Sequence, residues 1–402
     1  MLLVSVRSLR PGMTLAQPVF HPCCQDLVLL NEGFDLTEET ITRLAEFRLT
    51  HVWIDFPGLE GIDAKINGRI SRNHMQLCQT LNESVQRLER RVVIRVKLAD
   101  YKRAVRQMLT DIVAAPDHAV VTQQLTDFSP VLSGHMANCC YLALLVGAHM
   151  SGYLKMERPT LPEDLAENTS HLGLGALLHD VGKLNMPPEL QNKSVLDREG
   201  TWPEYRMHVR AGYEAIHEHI PVLSANVVLH HHQRIDGNGF PDKESRNGTM
   251  PPEPLRGRAI HIFSRICAVV DCLDHLMCPH GRMVPTVMAI HALKDERFAR
   301  WFDPVVVETL LRLIPPFMVG SVVTLSNGRE AVVIANHPEA PCRPTVKLLN
   351  APVCDPDARV RAQELDLRMC RDLSIAWVDG LDVRPYLYSG ELEMPVPAMV
   401  SV

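Results

Sequence analysis

Thirteen of the 19 histidines fall between His135 and His280, about a third of the chain, where they stand beside aspartates in apolar surroundings. HLGLGALLHDVGKL brings His179 and Asp180 together at the end of an apolar run, ICAVVDCL sets Asp271 among apolar neighbours, and HVRAG starts at His208. HHHQRIDGNGFP, residues 230 to 241, runs His230, His231 and His232 into Arg234, Asp236 and a turn framed by Gly237 and Gly239. A carboxylate buried without a partner costs several kcal/mol, so Asp180 and Asp271 each need a cation, a metal or a hydrogen-bond donor. Taken singly, an ion pair satisfies either aspartate, and His135 or His208 is an ordinary hydrogen-bonded core histidine. Gly212, one turn after His208 on the same helical face, leaves room for something close by. Cys139, one turn from His135, allows a thiol–histidine pair, but its continuous apolar run points to inert burial. The open alternatives are a shared metal site and a set of separately satisfied polar groups.

The segments that must position these residues have helical length. PVLSGHMANCCYLALLVGAHM, HLGLGALLHDVGK, PEYRMHVRAGYEAIHEHI, PVLSANVVLHHH and RAIHIFSRICAVVDCLDHLM hold too few breakers to be strands, which predicts an all-α bundle over residues 116–316. Residues 1–65 alternate like a small α/β domain: VSVRSL and LVLL as strands, TEETITRLAEF as a helix begun by a Thr cap, and HVWID as a further strand. Residues 66–115 form a helical linker with eight basic residues against two acidic between Arg87 and Arg106, the pattern of a solvated face. In residues 317–402, VVTL and AVVIA flank Asn327-Gly328, a hairpin signal that predicts a β-rich module. The expected fold class is mainly α: a helical bundle with a small N-terminal α/β domain and a β-rich C-terminal module.

At 402 residues, with 46% apolar and 22% charged, the composition is that of a globular chain of two or three domains. A net charge of -6 exerts no global pull on DNA or anionic membrane, so any phosphate recognition must be local. No signal peptide and no apolar run of roughly 20 residues is present, which leads to the expectation of a soluble cytoplasmic protein without membrane insertion. The 11 cysteines include no C-x-x-C pair, which argues against a disulfide framework or a thiolate zinc site.

The order H…HD…H…HH…D resembles that of the HD superfamily of metal-dependent phosphohydrolases, and the details resemble its HD-GYP branch. H-D-x-G-K stands here as HDVGK from His179, H-x-x-x-G as HVRAG from His208, and H-H-E-x-x-D-G-x-G-Y-P as HHQRIDGNGFP from His231. R-I-x-x-x-x-D-x-x-D-x-L stands as RICAVVDCLDHL from Arg265, followed by Phe302, Asp303 and Pro304 as F-D-P. The N-terminal LRPGM resembles a small domain of unknown function often fused ahead of such catalytic domains. The resemblance implies an HD-type bundle that hydrolyses cyclic di-GMP to linear pGpG and/or GMP by a metal-bridged hydroxide. It implies two divalent ions, with Asp180 bridging, His135, His179 and Asp271 on the first, and His208, His231 and His232 on the second. Imidazole and carboxylate ligands without thiolate suit iron or manganese, with zinc also allowed. Lys183 is similar to the family lysine at the scissile phosphate. Arg234 is expected to contact substrate, and Asp236, Gly237 and Gly239 to orient the loop. His230 matches no ligand position.

Four positions depart from the pattern. Gln233 replaces the glutamate, Phe240 replaces the tyrosine and loses its hydroxyl, HLMCPHGRMV lacks an Arg-Pro-Tyr, and Val131 stands where some members carry a glutamate associated with a third metal. Two ions are therefore expected. Two rival readings are a catalytically weak cyclic di-GMP sensor and a phosphodiesterase for a hybrid cyclic dinucleotide. A homodimer or a signalling-protein partner is compatible with either.

Overall fold

The computed structural model describes residues 1–21, 24–47, 49–59, 62, 81, 98–114, 131–197, 201–242, 253–279, 282–355 and 358–389. Most of the expected linker between 66 and 97, with Arg87, lies outside them.

In the N-terminal unit, β1 (Leu2–Ser5) pairs antiparallel with β4 (His51–Ile54), and β2 (Val19–His21) pairs with β3 (Cys24–Leu30). Helix α1 (Glu38–Glu46) begins at the expected Thr cap: Thr37 accepts from the Thr40 amide at 3.2 Å and Thr40 returns the favour to the Thr37 amide at 2.8 Å. The expected strand VSVRSL is shorter than its pattern. It stops at Ser5, and a 3-10 turn covers Val6–Ser8 after the Val6 amide bonds the Thr50 carbonyl at 2.7 Å.

The helical block contains α2 (Leu98–Ala114), α3 (Val131–Ala148), α4 (Ser151–Glu157), α5 (Ser170–Leu178), α6 (His208–Ile216), α7 (Val222–His230), α8 (Ile262–Met277) and α9 (Pro304–Leu313), with shorter helices between. Helices α3 and α5 are apolar on every side, as helices enclosed by others must be. All residues of α3 from Ser133 to Gly147 are buried, as are Leu172 to Leu178 of α5. Each buried leucine there, Leu144 or Leu177 for example, contributes roughly 1.5–3 kcal/mol over an exposed one. Helix α5 packs between α3 and α7, and α8 packs along α3, so their polar ends converge. The expected single helix PEYRMHVRAGYEAI is two pieces, Pro203–Arg206 and α6, separated at Met207. The physical reason lies in the site: the Tyr205 carbonyl there accepts from the His208 ring.

Among the described residues the C-terminal module is one six-stranded antiparallel sheet in the order β10-β9-β5-β6-β7-β8. Its strands are β5 (Val322–Leu325), β6 (Glu330–Ala335), β7 (Thr345–Leu349), β8 (Val360–Asp366), β9 (Ile375–Val378) and β10 (Leu381–Asp382). The β5–β6 hairpin turns at Asn327-Gly328, with Gly328 at φ +80. The N-terminal unit packs on the start of the C-terminal module: the Leu3 amide bonds the Gly320 carbonyl at 2.9 Å, and Leu2, Trp53 and Ile54 share one apolar core with Met318, Val319, Val332 and Leu349. Among the described residues no helix is long and apolar enough to cross a membrane.

Candidate metal centre

Helix α5 runs out at its last apolar residue, so His179 and Asp180 leave its C-terminal end, and the chain tightens into a 3-10 turn over Val181–Asn185. That turn lies against the start of α6. A Cβ on Gly182 would sit 2.0 Å from the His208 carbonyl oxygen, and the backbone nitrogen of Gly182 is 3.1 Å from where a Cβ of Gly212 would be. The close neighbour for which Gly212 leaves room is therefore the HDVGK backbone. The two glycines let two ligand-bearing segments touch main chain to main chain.

Around this contact His135, His179, Asp180, His208, His231, His232 and Asp271, all buried, converge. Asp180 divides them. Its Oδ2 lies 3.5 Å from Nε2 of both His135 and His179, and its Oδ1 lies 3.3 Å from His208 Nε2 and 3.6 Å from His231 Nε2. On the first side, His135 Nε2 is 3.1 Å from both His179 Nε2 and Asp271 Oδ1. His232 Nδ1 stands 3.8 Å from Asp271 Oδ2. Ligand atoms held roughly 2.1 Å from one cation at right angles are about 3 Å apart, so these spacings suit a metal. Among the described residues three metal-competent groups result: His135, Cys139, His179 and Asp271; Asp180, His208, His231 and His232; and His135, Asp180 and His275.

The imidazoles are oriented from behind. Nδ1 donates to Ala176 O from His179 at 2.7 Å, to Tyr205 O from His208 at 2.5 Å, and to Val228 O from His231 at 3.0 Å. His135 Nδ1 meets Asp274 Oδ2 at 2.8 Å, and Asn138 donates to the other Asp274 oxygen at 2.9 Å. Each tether commits Nδ1 and turns the Nε2 lone pair inward, the arrangement by which outer residues fix metal-binding histidines. Nε2 of His208, His231, His232 and His275, together with Asp180 Oδ1 and Asp271 Oδ1, are buried and make no well-formed hydrogen bond. Such a concentration of unsatisfied buried donor atoms is costly in a core and is relieved by a cation.

Charge states agree with that fit. Burial holds His231 down at about 4 and His232 well below the usual imidazole range, so both present neutral nitrogens. Burial opposes ionisation of Asp180, but Lys183, His179 and the nearby rings of His135 and His208 hold its carboxyl well below the ordinary range. Burial likewise opposes ionisation of Asp271 and is outweighed by His135, His179, His275 and His232. His135, despite burial, is raised well above its usual value by its neighbours, among them the carboxylates of Asp180, Asp271 and Asp274. Burial pushes the Cys139 thiol up to about 12; it stays protonated and unreactive.

The Lys183 ammonium is fully buried, 2.6 Å from Asp180 Oδ2, donating to the Lys193 carbonyl at 2.9 Å and lying over the Tyr205 ring. Burial works against its charge, but Asp180 and its neighbours keep it protonated. Gln233 joins the two ends of its loop: its amide donates to Pro241 O at 2.6 Å and its carbonyl accepts from the Leu255 amide at 2.9 Å. A glutamate could do only the second, which gives the substitution a structural reason. Phe240 packs its ring on His232, centroids 4.8 Å apart. Arg234 stacks on Trp301 at 3.4 Å from the ring centroid, and Asp236 closes its turn by accepting from the Asn238 amide at 2.9 Å. Gly237 takes φ +81, and a Cβ on Gly239 would be 2.5 Å from the His232 carbonyl. His230 is half-buried and belongs to none of the metal-competent groups. Arg265 and Asp303 meet at 2.5 Å, with Glu157 on the other side of the guanidinium, and so clamp α8 to α9 and α4. Sequence reasoning passed over Asn138, Tyr205, Asp274 and His275. The last two follow Asp271 by three and four residues, the spacing that shares one helical face.

Residues 120–306 match the HD domain family, and residues 322–378 match the KOW domain associated with HD domain. The chain is similar to the cyclic di-GMP phosphodiesterase PA4108 of Pseudomonas aeruginosa, 30% identical over 195 residues that cover 47% of this chain and 42% of that protein. It is similar to the cyclic di-GMP phosphodiesterase response regulator RpfG of Xanthomonas campestris, 32% identical over 170 residues covering 41% of each. It is also similar to 3'3'-cGAMP-specific phosphodiesterase 2 of Vibrio cholerae, 28% identical over 171 residues, 41% of this chain and 28% of that one. The chain thus spans less than half the length of these relatives. Among solved structures, Bd1817, a HDG"Y"P protein from Bdellovibrio bacteriovorus, aligns over 77% of this chain and 97% of its own with TM-score 0.43 and 18% identity.

Proposed function

We propose that this chain, whose residues 120–306 match the HD domain family, is a divalent-metal phosphodiesterase that hydrolyses cyclic di-GMP to linear pGpG and/or GMP. The observation that carries this reading is the ring of buried, unsatisfied imidazole and carboxylate atoms around Asp180. It is supported by the cyclic di-GMP phosphodiesterase activity for which the relatives are named. His135, His179 and Asp271 would hold one cation and His208, His231 and His232 the other, with Asp180 offering one oxygen to each. When bound, iron or manganese would neutralise the phosphodiester and acidify the attacking water. Lys183 holds Asp180 in place and adds a fixed positive charge that favours an incoming phosphodiester anion. Arg234, braced on Trp301, is assigned to substrate, and Asp236, Gly237 and Gly239 keep the loop's turn. We take residues 116–316 as the catalytic domain, with 1–65 and 317–402 as accessory units and 66–115 as the linker.

The test is metal content of anaerobically purified protein measured beside its cyclic di-GMP product profile. Two ions with pGpG or GMP formation is the expected result. Tight cyclic di-GMP binding without hydrolysis by the metal-loaded chain would make it a sensor. Similarity to 3'3'-cGAMP phosphodiesterases favours a second substrate reading, a hybrid cyclic dinucleotide, which competition between the two dinucleotides decides.

A further inference from the structure

His275 lies on α8 one turn beyond Asp271, at a position the R-I-x-x-x-x-D-x-x-D-x-L pattern leaves open. Its ring stacks on His135, centroids 4.2 Å apart and planes 30° apart. Its Nε2 is buried, makes no hydrogen bond, and stands 3.4 Å from Asp271 Oδ1, the oxygen that is also 3.1 Å from His135 Nε2. His135, Asp180 and His275 form a third group whose ligand atoms lie within 4.8 Å of one another. An unpaired buried nitrogen carries its whole desolvation cost, and a stacked pair of histidines beside two carboxylates does not repay it without a cation.

We propose that His275 is an eighth protein ligand of this centre, binding through Nε2 the ion held by His135 and Asp271. The inference rests on reading the centre as a divalent-metal site. Its consequence is asymmetry. On an ion with six positions, His135, His179, Asp180, Asp271 and His275 leave one open, whereas Asp180, His208, His231 and His232 leave two on the other. The first ion is the tightly held, structural one; the second exchanges and meets the phosphodiester.

The experiment uses the full chain reconstituted anaerobically with manganese or cobalt, dialysed against graded chelator and assayed for ions per chain. The wild type should lose one ion readily and keep the other. His275→Ala should release the retained ion at roughly 10-fold or more lower chelator, and its cobalt absorption should change as a nitrogen ligand is lost. His275→Gln, similar in size, controls for packing, with far-UV circular dichroism of the metal-free forms checking the fold. A chelator curve and cobalt spectrum in both variants identical to wild type would overturn the role of His275 while leaving the metal centre standing. A wild-type chain that takes up no ion would overturn both.

Discussion

Replacing Gly182 by alanine tests the assembly of the centre while leaving every proposed ligand side chain in the sequence. The added methyl would sit 2.0 Å from the His208 carbonyl oxygen, 2.7 Å from the Gly212 nitrogen and 2.9 Å from the His208 carbonyl carbon, all main-chain atoms with no rotamer to yield. A carbon–oxygen contact relaxes at roughly 3.3 Å, so the 3-10 turn and α6 must part by about 1 Å. That movement separates Asp180 from His208, now 3.3 Å apart. Overpacking of this kind costs ~1–3 kcal/mol, and a displaced support lowers metal affinity by roughly 10–100-fold. The assay is thermal unfolding of the metal-free chain together with manganese affinity. Two other glycines grade the result. Gly212→Ala meets its neighbours at 3.1 to 3.3 Å and should show a smaller loss; Gly152→Ala meets nothing within 4 Å and should leave both quantities unchanged or slightly improved. If Gly182→Ala matches wild type in both, the main-chain contact does not position the ligands and the reasoning fails.

Asp180→Ala should abolish metal binding and hydrolysis together, and it leaves the buried Lys183 ammonium unpaired, a destabilisation of ~3–5 kcal/mol; metal analysis and turnover check the first, and wild-type turnover would sink the two-ion mechanism. Gln233→Glu sets a carboxylate against the Pro241 carbonyl, now a 2.6 Å hydrogen bond, and should cost ~1–3 kcal/mol by denaturant unfolding. An unchanged midpoint would mean that Gln233 does not fasten its loop. Arg265→Ala removes the guanidinium shared by the nearly buried carboxylates of Glu157 and Asp303, leaving Arg258 beside the first and the Tyr153 hydroxyl and Val305 amide on the second, and should destabilise by roughly 3 kcal/mol. Calorimetry showing a wild-type unfolding temperature would remove this clamp from the account.

The local part of this protein is written in its sequence. Apolar runs of helical length around His135, His179 and Asp271 mark buried helices because a polar face would show as periodicity, and Thr37 and Asn327-Gly328 mark a cap and a turn because those demands are met within a few residues. The motif order around HDVGK and HHQRIDGNGFP was enough to nominate the seven converging residues. The ligand geometry was not. That one Asp180 oxygen faces His179 and the other His208, that Asp274 orients His135 across 139 positions, and that His275 turns an unsatisfied nitrogen inward all depend on how α3, α5, α6 and α8 pack. The same holds for the break before His208 and for the core shared by Trp53 and Val319. Side-chain type and spacing set what a residue can do within its own turn of chain. Distances of 3 to 4 Å between residues far apart in sequence are set by the close packing of separate elements, where backbones such as those at Gly182 and Gly212 must first be allowed to touch.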